Sequence, residues 1–547
     1  MTASASPRTE GAAARMSATP RWYQTTAIDY PNSRPHIGTA FEKLGADVQA
    51  RYRRMEGYDV VFLMGNDENT LKVSERAQQL GRDVQEYCDD MAAQFQEVWT
   101  ALDISFDKFE QTSHDRHKAA CRKFIQKVYD NGYIEKGTHE GWYCGDCEEF
   151  KSAKVHSESD GKCPVHKKPL AWRSEPCWLF KLSNFGDRLL KFFAENPEFI
   201  QPESRRNEIV SLIETEGLKD VNISRYKQPW GITIPFDPDY TIYVWFDALI
   251  TYISGIGYAD DEQQFRKYWP ADVHFIGKDI TRFHTALWPA MLWAAGEEPP
   301  RKVFAHGFVN FAGDKIGKSR AEELKAKGLE FLLEPMEIIK KFSAEGFRYF
   351  FLRECPYPGD GEVSPDRFIE VFNSELANKL GNLLSRCVTV GAINFAGVLD
   401  GTAGKSPEPV AADFDLAAVV AEVRQHVEGC AYNLALQAII QNVVTPANQY
   451  LDTHAPWKLV KTGDPADRER AKLVIFAAVQ CLRVASILLK PFIPKSAAAI
   501  YGSFSFGVPW ETVKYADAAA VEVPAADLRV TAELEGGKPK VLFPRIK

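Results

Sequence analysis

Residues 22–28, Trp-Tyr-Gln-Thr-Thr-Ala-Ile, followed by Asp29-Tyr30-Pro31-Asn32-Ser33-Arg34-Pro35 and then His36-Ile37-Gly38-Thr39, decide the fold. The aromatic and β-branched run reads as a buried strand, and the Pro-, Asn- and Ser-containing stretch after it as a loop. Phe41, Leu44, Val48, Tyr52 and Met55 then recur at helical spacing, so a helix starting near His36 lays one face on a core. Gly57 ends it, and Val60–Met64 reads as a second apolar strand before Gly65-Asn66-Asp67-Glu68. Strand, helix and strand within about forty residues make a βαβ unit, which implies a parallel sheet binding its ligand at the carboxyl ends of its strands.

The helix opening carries chemistry. His36 and Gly38 at a helix N-terminus put an imidazole and backbone N–H groups where a phosphate binds. Far downstream, Lys315-Ile316-Gly317-Lys318-Ser319 places two lysines around a short Ile-Gly loop, movable positive charge suited to a polyphosphate. Alone, the histidine would read as a cap and the lysines as surface charge. Together, separated by the length of a parallel-sheet domain, they suggest ATP held for attack on its α-phosphate.

At 547 residues the chain exceeds what one core can organise, and three or four domains are expected. A hydrophobic fraction of 45% and a charged fraction of 26% are ordinary for a globular protein, and no run of eighteen consecutive apolar residues suggests a membrane span. The net charge of −8 gives no global sign of a nucleic-acid partner, so any such site is a local basic face. Of ten cysteines, Cys88, Cys121, Cys177, Cys355, Cys387, Cys430 and Cys481 are scattered singly, as buried thiols of a reducing cytoplasm would be. Residues 1–20, rich in Ala, Ser and Thr, read as a disordered extension in which Met16 offers an alternative start.

Cys144-x-x-Cys147, then Cys163-x-x-His166, is a metal spacing: three thiolates and one imidazole close a tetrahedral site around one structural Zn²⁺. It falls where the α/β pattern gives way to short turns and mixed charge, between about 136 and 225, a stretch that reads as an insertion. The sheet is expected to resume with Thr241–Phe246, Asp272–Gly277 and Lys302–Val309. Long helical patterns at 371–393, 413–451 and 466–491 follow, consistent with a bundle.

The paired signatures resemble the HIGH and KMSKS sequences of class I aminoacyl-tRNA synthetases, and along nearly the whole chain the resemblance narrows to the methionyl-tRNA synthetase family. Trp245-Phe246-Asp247-Ala248-Leu249-Ile250-Thr251-Tyr252 is similar to its WFDALxNY segment, and Gly277-Lys278-Asp279-Ile280-Thr281-Arg282-Phe283-His284 to GKDIxRFH. Three departures stand out. Thr39 replaces the second signature histidine, Gly65-Asn66-Asp67-Glu68-Asn69-Thr70 replaces GTDEHG, and Arg320-Ala321-Glu322 follows the lysine loop where Leu-Gly-Asn is usual. Thr39 either substitutes by geometry or slows adenylation, since losing one such donor costs about 2.7–4 kcal/mol.

The resemblance implies an α/β class I fold whose Rossmann-like halves span 21–135 and 226–330, with a zinc-knuckle insertion at 136–225 between them. A stem-contact connector at 331–370, a helical anticodon-binding domain at 371–510 and a tail at 511–547 complete it. His36, Lys315 and Lys318 are the implied catalytic groups; Gly38, Thr39, Gly277 and Asp279 join His36 and Lys318 around ATP–Mg²⁺. Ile28, Tyr30, Asp67, Trp245, Ala248, Leu249, Tyr252, Ile280 and His284 would hold L-methionine, with homocysteine the expected near-competitor because one methylene discriminates by only about 1–3 kcal/mol. Asn378, Asn382 and Arg386, four residues apart, and Trp457 would read the anticodon of methionine tRNA through amide and guanidinium groups and a stacking indole. The expected protein is a cytoplasmic, monomeric methionine–tRNA ligase. The alternative, motivated by Thr39 and the altered loops, is a tRNA-independent amino-acid-activating ligase of specialised metabolism.

Overall fold

The computed structural model describes residues 19–146, 149–151, 153–311, 314–315, 334–399, 414–519, 528–535 and 538–546. The chain opens with β1 (Arg21–Thr26), α1 (Ile37–Met55) and β2 (Asp59–Asn66), then α2 (Leu71–Gln79), α3 (Val84–Ala101), β3 (Lys108–Gln111) and α4 (Asp115–Asp130). An outlying antiparallel sheet follows from β4 (Ile134–Cys144), β5 (Glu149–Lys151), β6 (Ala171–Phe180) and, after β7 (Ile200–Gln201), β8 (Val221–Asn222). A small antiparallel sheet of β9 (Ser224–Tyr226), β10 (Thr233–Ile234) and β11 (Asp237–Ile242) precedes β12 (Val273–Gly277) and β13 (Val303–His306).

The central sheet runs β3-β2-β1-β12-β13-β7, and each of its pairings is parallel. Its order reverses between β1 and β12, so the loops leaving these strands diverge and a crevice opens at their carboxyl ends. β7 joins this sheet from within the span read as an insertion, which leaves β4, β5, β6 and β8 as the outlying sheet.

The expected strand at Thr241–Phe246 is a correction. β11 ends at Ile242 in the small sheet, and a helix, Val244–Ser254, begins two residues later. Phe246, Leu249, Ile250 and Ile253 on one face and Ala248 and Tyr252 on the other are all buried there, so the helix has no exposed polar stripe and its periodicity is masked. The pattern at 413–451 is likewise divided: Leu416–Glu428 and Tyr432–Ile439 are separated by Cys430 at φ 57°.

One hydrophobic cluster packs α1 and α3 continuously against the C-terminal helices, and a second packs α4 and the Val244–Ser254 helix on the other part of the sheet. The helix Pro465–Leu489 has the length and composition to cross a membrane, yet 83% of its most apolar stretch is buried inside the protein, where it is the axis of the bundle. Arg348, on Ala344–Glu354, is fully buried between the two regions. It pairs with Asp47 of α1 at 2.7 Å and donates to the carbonyls of Leu102 (3.0 Å), Pro491 (3.0 Å) and Phe492 (2.7 Å).

Candidate active site

The crevice is built first by α1. His36 is its N-cap in extended conformation, and its Nδ1 accepts from the Thr39 backbone N–H at 3.3 Å. With Nδ1 an acceptor, the proton of the neutral ring sits on Nε2, a donor at a helix terminus that already favours anions. The Thr39 hydroxyl closes the other half of a capping box: it accepts from His36 N–H at 3.1 Å and donates to His36 C=O at 2.7 Å. Thr39 is therefore engaged in the helix start.

Below this terminus lies a buried charged cluster that sequence reading missed. Lys43, wholly buried, meets Asp29 at 2.9 Å, Glu42 at 2.7 Å and the Ala27 carbonyl at 2.9 Å, while Glu42 also meets His306 Nε2 at 3.0 Å. Burial raises the Glu42 carboxyl, but Lys43 and His306 outweigh it and hold the group below its usual range. Burial likewise opposes the Lys43 ammonium, and Asp29 and Glu42 more than restore it. A Glu-Lys pair between Phe41 and Leu44, on the core side of the helix, was the available sign, because such residues are buried only when paired.

Asp67 leaves β2 into the crevice, its N–H donating to Asp29 C=O at 2.9 Å. A Cβ on Gly65 would fall 2.1 Å from the Glu110 carbonyl, so only glycine lets β2 lie this close to β3 before Asp67. The Val244–Ser254 helix brings Trp245, Ala248, Leu249 and Tyr252 to one side. Trp245 stacks on Phe283 at 4.1 Å and 3°, with Tyr30 edge-on at 6.5 Å. Tyr252 donates to His284 Nε2 at 2.7 Å, and His284 Nδ1 then donates to Ile280 C=O at 3.0 Å. His284 itself lies in a π-helical turn, Phe283–Leu287, an irregularity common at functional sites. Burial lowers His284 to about 4, keeping it neutral. The Tyr252 phenol is raised well above its usual range, by burial first and then by the Glu42, Asp67 and Asp29 carboxylates around it. The Val244–Ser254 helix thus meets the Phe283–Leu287 turn through Trp245 on Phe283 and Tyr252 on His284, with Asp67 near enough to raise the Tyr252 phenol.

Ile28 lies just past β1, Gly277 ends β12 and Asp279 lies just past it, on the same edge of the sheet. A Cβ on Gly277 would meet Asp279 Oδ1 at 2.7 Å. Lys278 is engaged by both oxygens of Asp360, at 2.8 and 2.7 Å. Lys315 ends a two-residue strand that pairs with Asn310; Lys318 lies outside the described residues.

In the outlying sheet, His166 Nδ1 is 3.8 Å from Cys144 Sγ and 3.7 Å from Cys163 Sγ. Ligands bonded tetrahedrally at about 2.3 Å (sulfur) and about 2.0–2.1 Å (nitrogen) stand roughly 3.5 Å apart, so the three donors fit one Zn²⁺. Cys147, the fourth, lies outside the described residues.

On the bundle, Asn378 Oδ1 accepts from Arg545 Nε at 2.8 Å, Asn382 donates to Asn448 at 3.2 Å, and Arg386 pairs with Asp452 at 2.5 Å. The Arg386 guanidinium lies 4.9 Å from the Trp457 ring centre, so these two expected residues are adjacent. Asn378 and Asn382 instead line a groove of about 400 Å³ whose far wall, including Lys540, Phe543 and Arg545, comes from the C-terminal segment. The sequence reading assigned that segment no role, although its Pro539-Lys540 and Pro544-Arg545 pairs marked an extended basic stretch.

Over residues 22–171 and 155–388 the chain matches the family described as tRNA synthetases class I (M), and over 400–546 the anticodon binding domain of methionyl tRNA ligase. It is 40% identical over 503 residues to a methionine–tRNA ligase of Caldanaerobacter subterraneus subsp. tengcongensis, covering 90% of this chain and 76% of that one. A methionine–tRNA ligase of Thermosynechococcus vestitus is 38% identical over 501 residues, with 89% and 91% covered. Among solved structures, Mycobacterium tuberculosis methionyl-tRNA synthetase in complex with methionyl-adenylate aligns with a TM-score of 0.87 at 35% identity, covering 96% of this chain and 100% of that chain.

Proposed function

Since the chain belongs to the methionyl-tRNA synthetase family of class I aminoacyl-tRNA synthetases, we propose that it activates L-methionine with ATP and charges methionine tRNA through the residues described above. The methionine carboxylate attacks the α-phosphate of ATP–Mg²⁺; the bond to the β-phosphate breaks, giving methionyl-adenylate and pyrophosphate. The terminal ribose hydroxyl of the tRNA then takes the methionyl group and AMP leaves. No side chain forms a covalent bond to substrate, so catalysis comes from positioning and electrostatics.

His36 Nε2–H and the α1 terminus meet the triphosphate on this reading, Gly38, Gly277 and Asp279 flank the nucleotide, and Lys315 and Lys318 neutralise charge as pyrophosphate forms. Asp67 takes the substrate ammonium. The thioether enters the slot bounded by Ile28, Tyr30, Trp245, Ala248, Leu249, Tyr252, Ile280 and His284. One Zn²⁺ held by Cys144, Cys147, Cys163 and His166 has a structural role, its coordination being filled by protein. Asn378, Asn382, Arg386 and Trp457 receive the anticodon. A cytoplasmic monomer suits this work.

The observation that carries the reading is the Tyr252–His284 pair at 2.7 Å, neutral and buried beside Asp67: an uncharged polar end to an apolar slot, with a carboxylate at its mouth. ATP–pyrophosphate exchange tests it. Methionine should support exchange far better than leucine or glycine, and equal exchange with glycine would sink it. Trp457→Ala should lower tRNA charging about tenfold or more and leave exchange nearly intact, base stacking being worth about 1–3 kcal/mol. A variant that charges tRNA as well as the parent would refute the stacking role of Trp457, whereas methionine-dependent exchange by a parent that charges no tRNA would favour the tRNA-independent ligase.

A further inference from the structure

We propose that Asn69, Asp247 and His117 form a buried positioning chain that locks the two walls of the amino-acid pocket against each other and so sets the affinity for methionine. The proposal rests on the methionine-activating reading of that pocket. All three side chains are buried, His117 and Asp247 completely. None of them belongs to the sets of residues assigned above to methionine, ATP or the anticodon.

The geometry starts at the imidazole. His117 on α4 reaches the Val244–Ser254 helix at two points: Nε2 lies 3.1 Å from Asp247 Oδ1, and Nδ1 lies 2.9 Å from Ser254 Oγ. These positions are seven residues, about two turns, apart on one helix face. One flat ring fastened at both can neither let that helix rotate nor let it slide. Trp245, Ala248, Leu249 and Tyr252 sit on the same helix at the interleaved positions. Their places in the pocket are therefore fixed from behind by His117.

The other oxygen of Asp247 ties in the opposite wall. Asn69 Nδ2 donates to Asp247 Oδ2 at 3.0 Å and to the Thr112 carbonyl at 3.0 Å. Asn69 lies two residues after Asp67, on the loop leaving β2. The Trp230 indole also donates to the Glu68 carbonyl at 2.7 Å, between those two residues. Thus the carboxylate expected to take the substrate ammonium and the helix expected to wall the thioether are joined through Asp247.

The protons are consistent along the chain. With the Ser254 hydroxyl turned to Nδ1 at 2.9 Å rather than to the longer Thr251 carbonyl contact at 3.3 Å, the ring proton is left on Nε2, which donates to Asp247. Asn69 supplies the second donor, so both carboxylate oxygens accept and no buried charge is left bare. Cys121 Sγ also lies 3.1 Å from Nε2, and burial keeps its thiol protonated, well above the ordinary range. His117, Cys121 and Asp247 lie close enough to suggest a metal site, but their polar atoms are already matched as donors and acceptors.

Methionine-dependent pyrophosphate exchange by the full-length protein tests this, with KM measured separately for methionine and ATP. Asn69→Leu keeps the volume and removes the donor. Asp247→Asn keeps the shape but turns an N–H toward Asn69 or His117, both of which donate. Each should raise KM for methionine at least tenfold while KM for ATP stays within twofold. Asn69→His, the residue of the family pattern, restores a donor and should keep KM for methionine within threefold of the parent. Should Asp247→Asn fail to fold, judged by its thermal melt, the two variants at 69 decide the matter. Asn69→Leu with the parental KM for methionine overturns the chain, as does a loss of kcat matching lost folded protein with both KM values unchanged. Absence of methionine-dependent exchange in the parent would overturn the functional reading instead.

Discussion

His284 accepts the Tyr252 proton on Nε2 and gives its own Nδ1 proton to Ile280, so both ring nitrogens are committed in the neutral state. Burial holds the folded pKa at about 4, below the ordinary 6.5. The unfolded chain therefore binds the extra proton first as pH falls. The stabilising difference is complete above 6.5 and is lost as pH falls from 6.5 toward 4, on the order of 3 kcal/mol over that window. KM for methionine should be flat from pH 7 to 8 and rise below about 5, which exchange kinetics at fixed ionic strength will check. Thr39 poses a different question, because its hydroxyl is taken up by the α1 cap. Thr39→Ala should cost about 1 kcal/mol in a denaturant titration while kcat for exchange stays within about threefold. A hundredfold fall in kcat would assign the hydroxyl to the phosphates. The identity of residue 39 was legible in the sequence; its engagement with His36 depends on a backbone conformation that no spacing reports.

The elements themselves were legible where apolar residues alternated with polar ones or ran together between turns. α1 showed its period because Phe41, Leu44, Val48, Tyr52 and Met55 stand at helical spacing among polar residues, although most of the helix is buried. β1 showed as an aromatic and β-branched run and β2 as an apolar one, each bounded by turn residues. The helix at Val244–Ser254 did not, since a segment buried on all sides has no polar stripe to count. Long-range pairs such as Glu42 with His306 or His117 with Asp247 were invisible for another reason: only the tertiary fold brings their elements together. The Cys144, Cys163 and His166 cluster is the opposite case, because the spacing that marks its ligands is written locally in the sequence. Metal analysis should find one zinc per chain, and Cys144→Ser or Cys163→Ser should lose it and expose residues 144–166 to protease. Unchanged metal content in both variants would refute the site.

Across the whole molecule, Arg348 is the residue on which three regions converge. Burial opposes ionisation of its partner Asp47, but Arg51 and Arg348 hold that carboxyl down at about 2. Its folded pKa lies below the unfolded value of 3.8, so this contribution is whole above 3.8 and is lost as pH falls through about 2. Arg348→Met removes one member of a buried pair and should cost about 3–5 kcal/mol, measured by denaturant unfolding. A loss under 1 kcal/mol would mean that the pair is dispensable. The same guanidinium holds the Pro491 and Phe492 carbonyls, and Tyr52 of α1 bonds Glu428 at 2.9 Å. α1 thus begins in the crevice at His36 and rests its far end on the bundle. A chimera that kept this nucleotide fold and borrowed the bundle of a relative would have to supply carbonyls where Pro491 and Phe492 now offer theirs. A gene truncated near residue 370 would leave the underside of α1 bare. The helices of the anticodon-domain match are not an interchangeable module here: they are the floor on which the helix that begins at His36 stands.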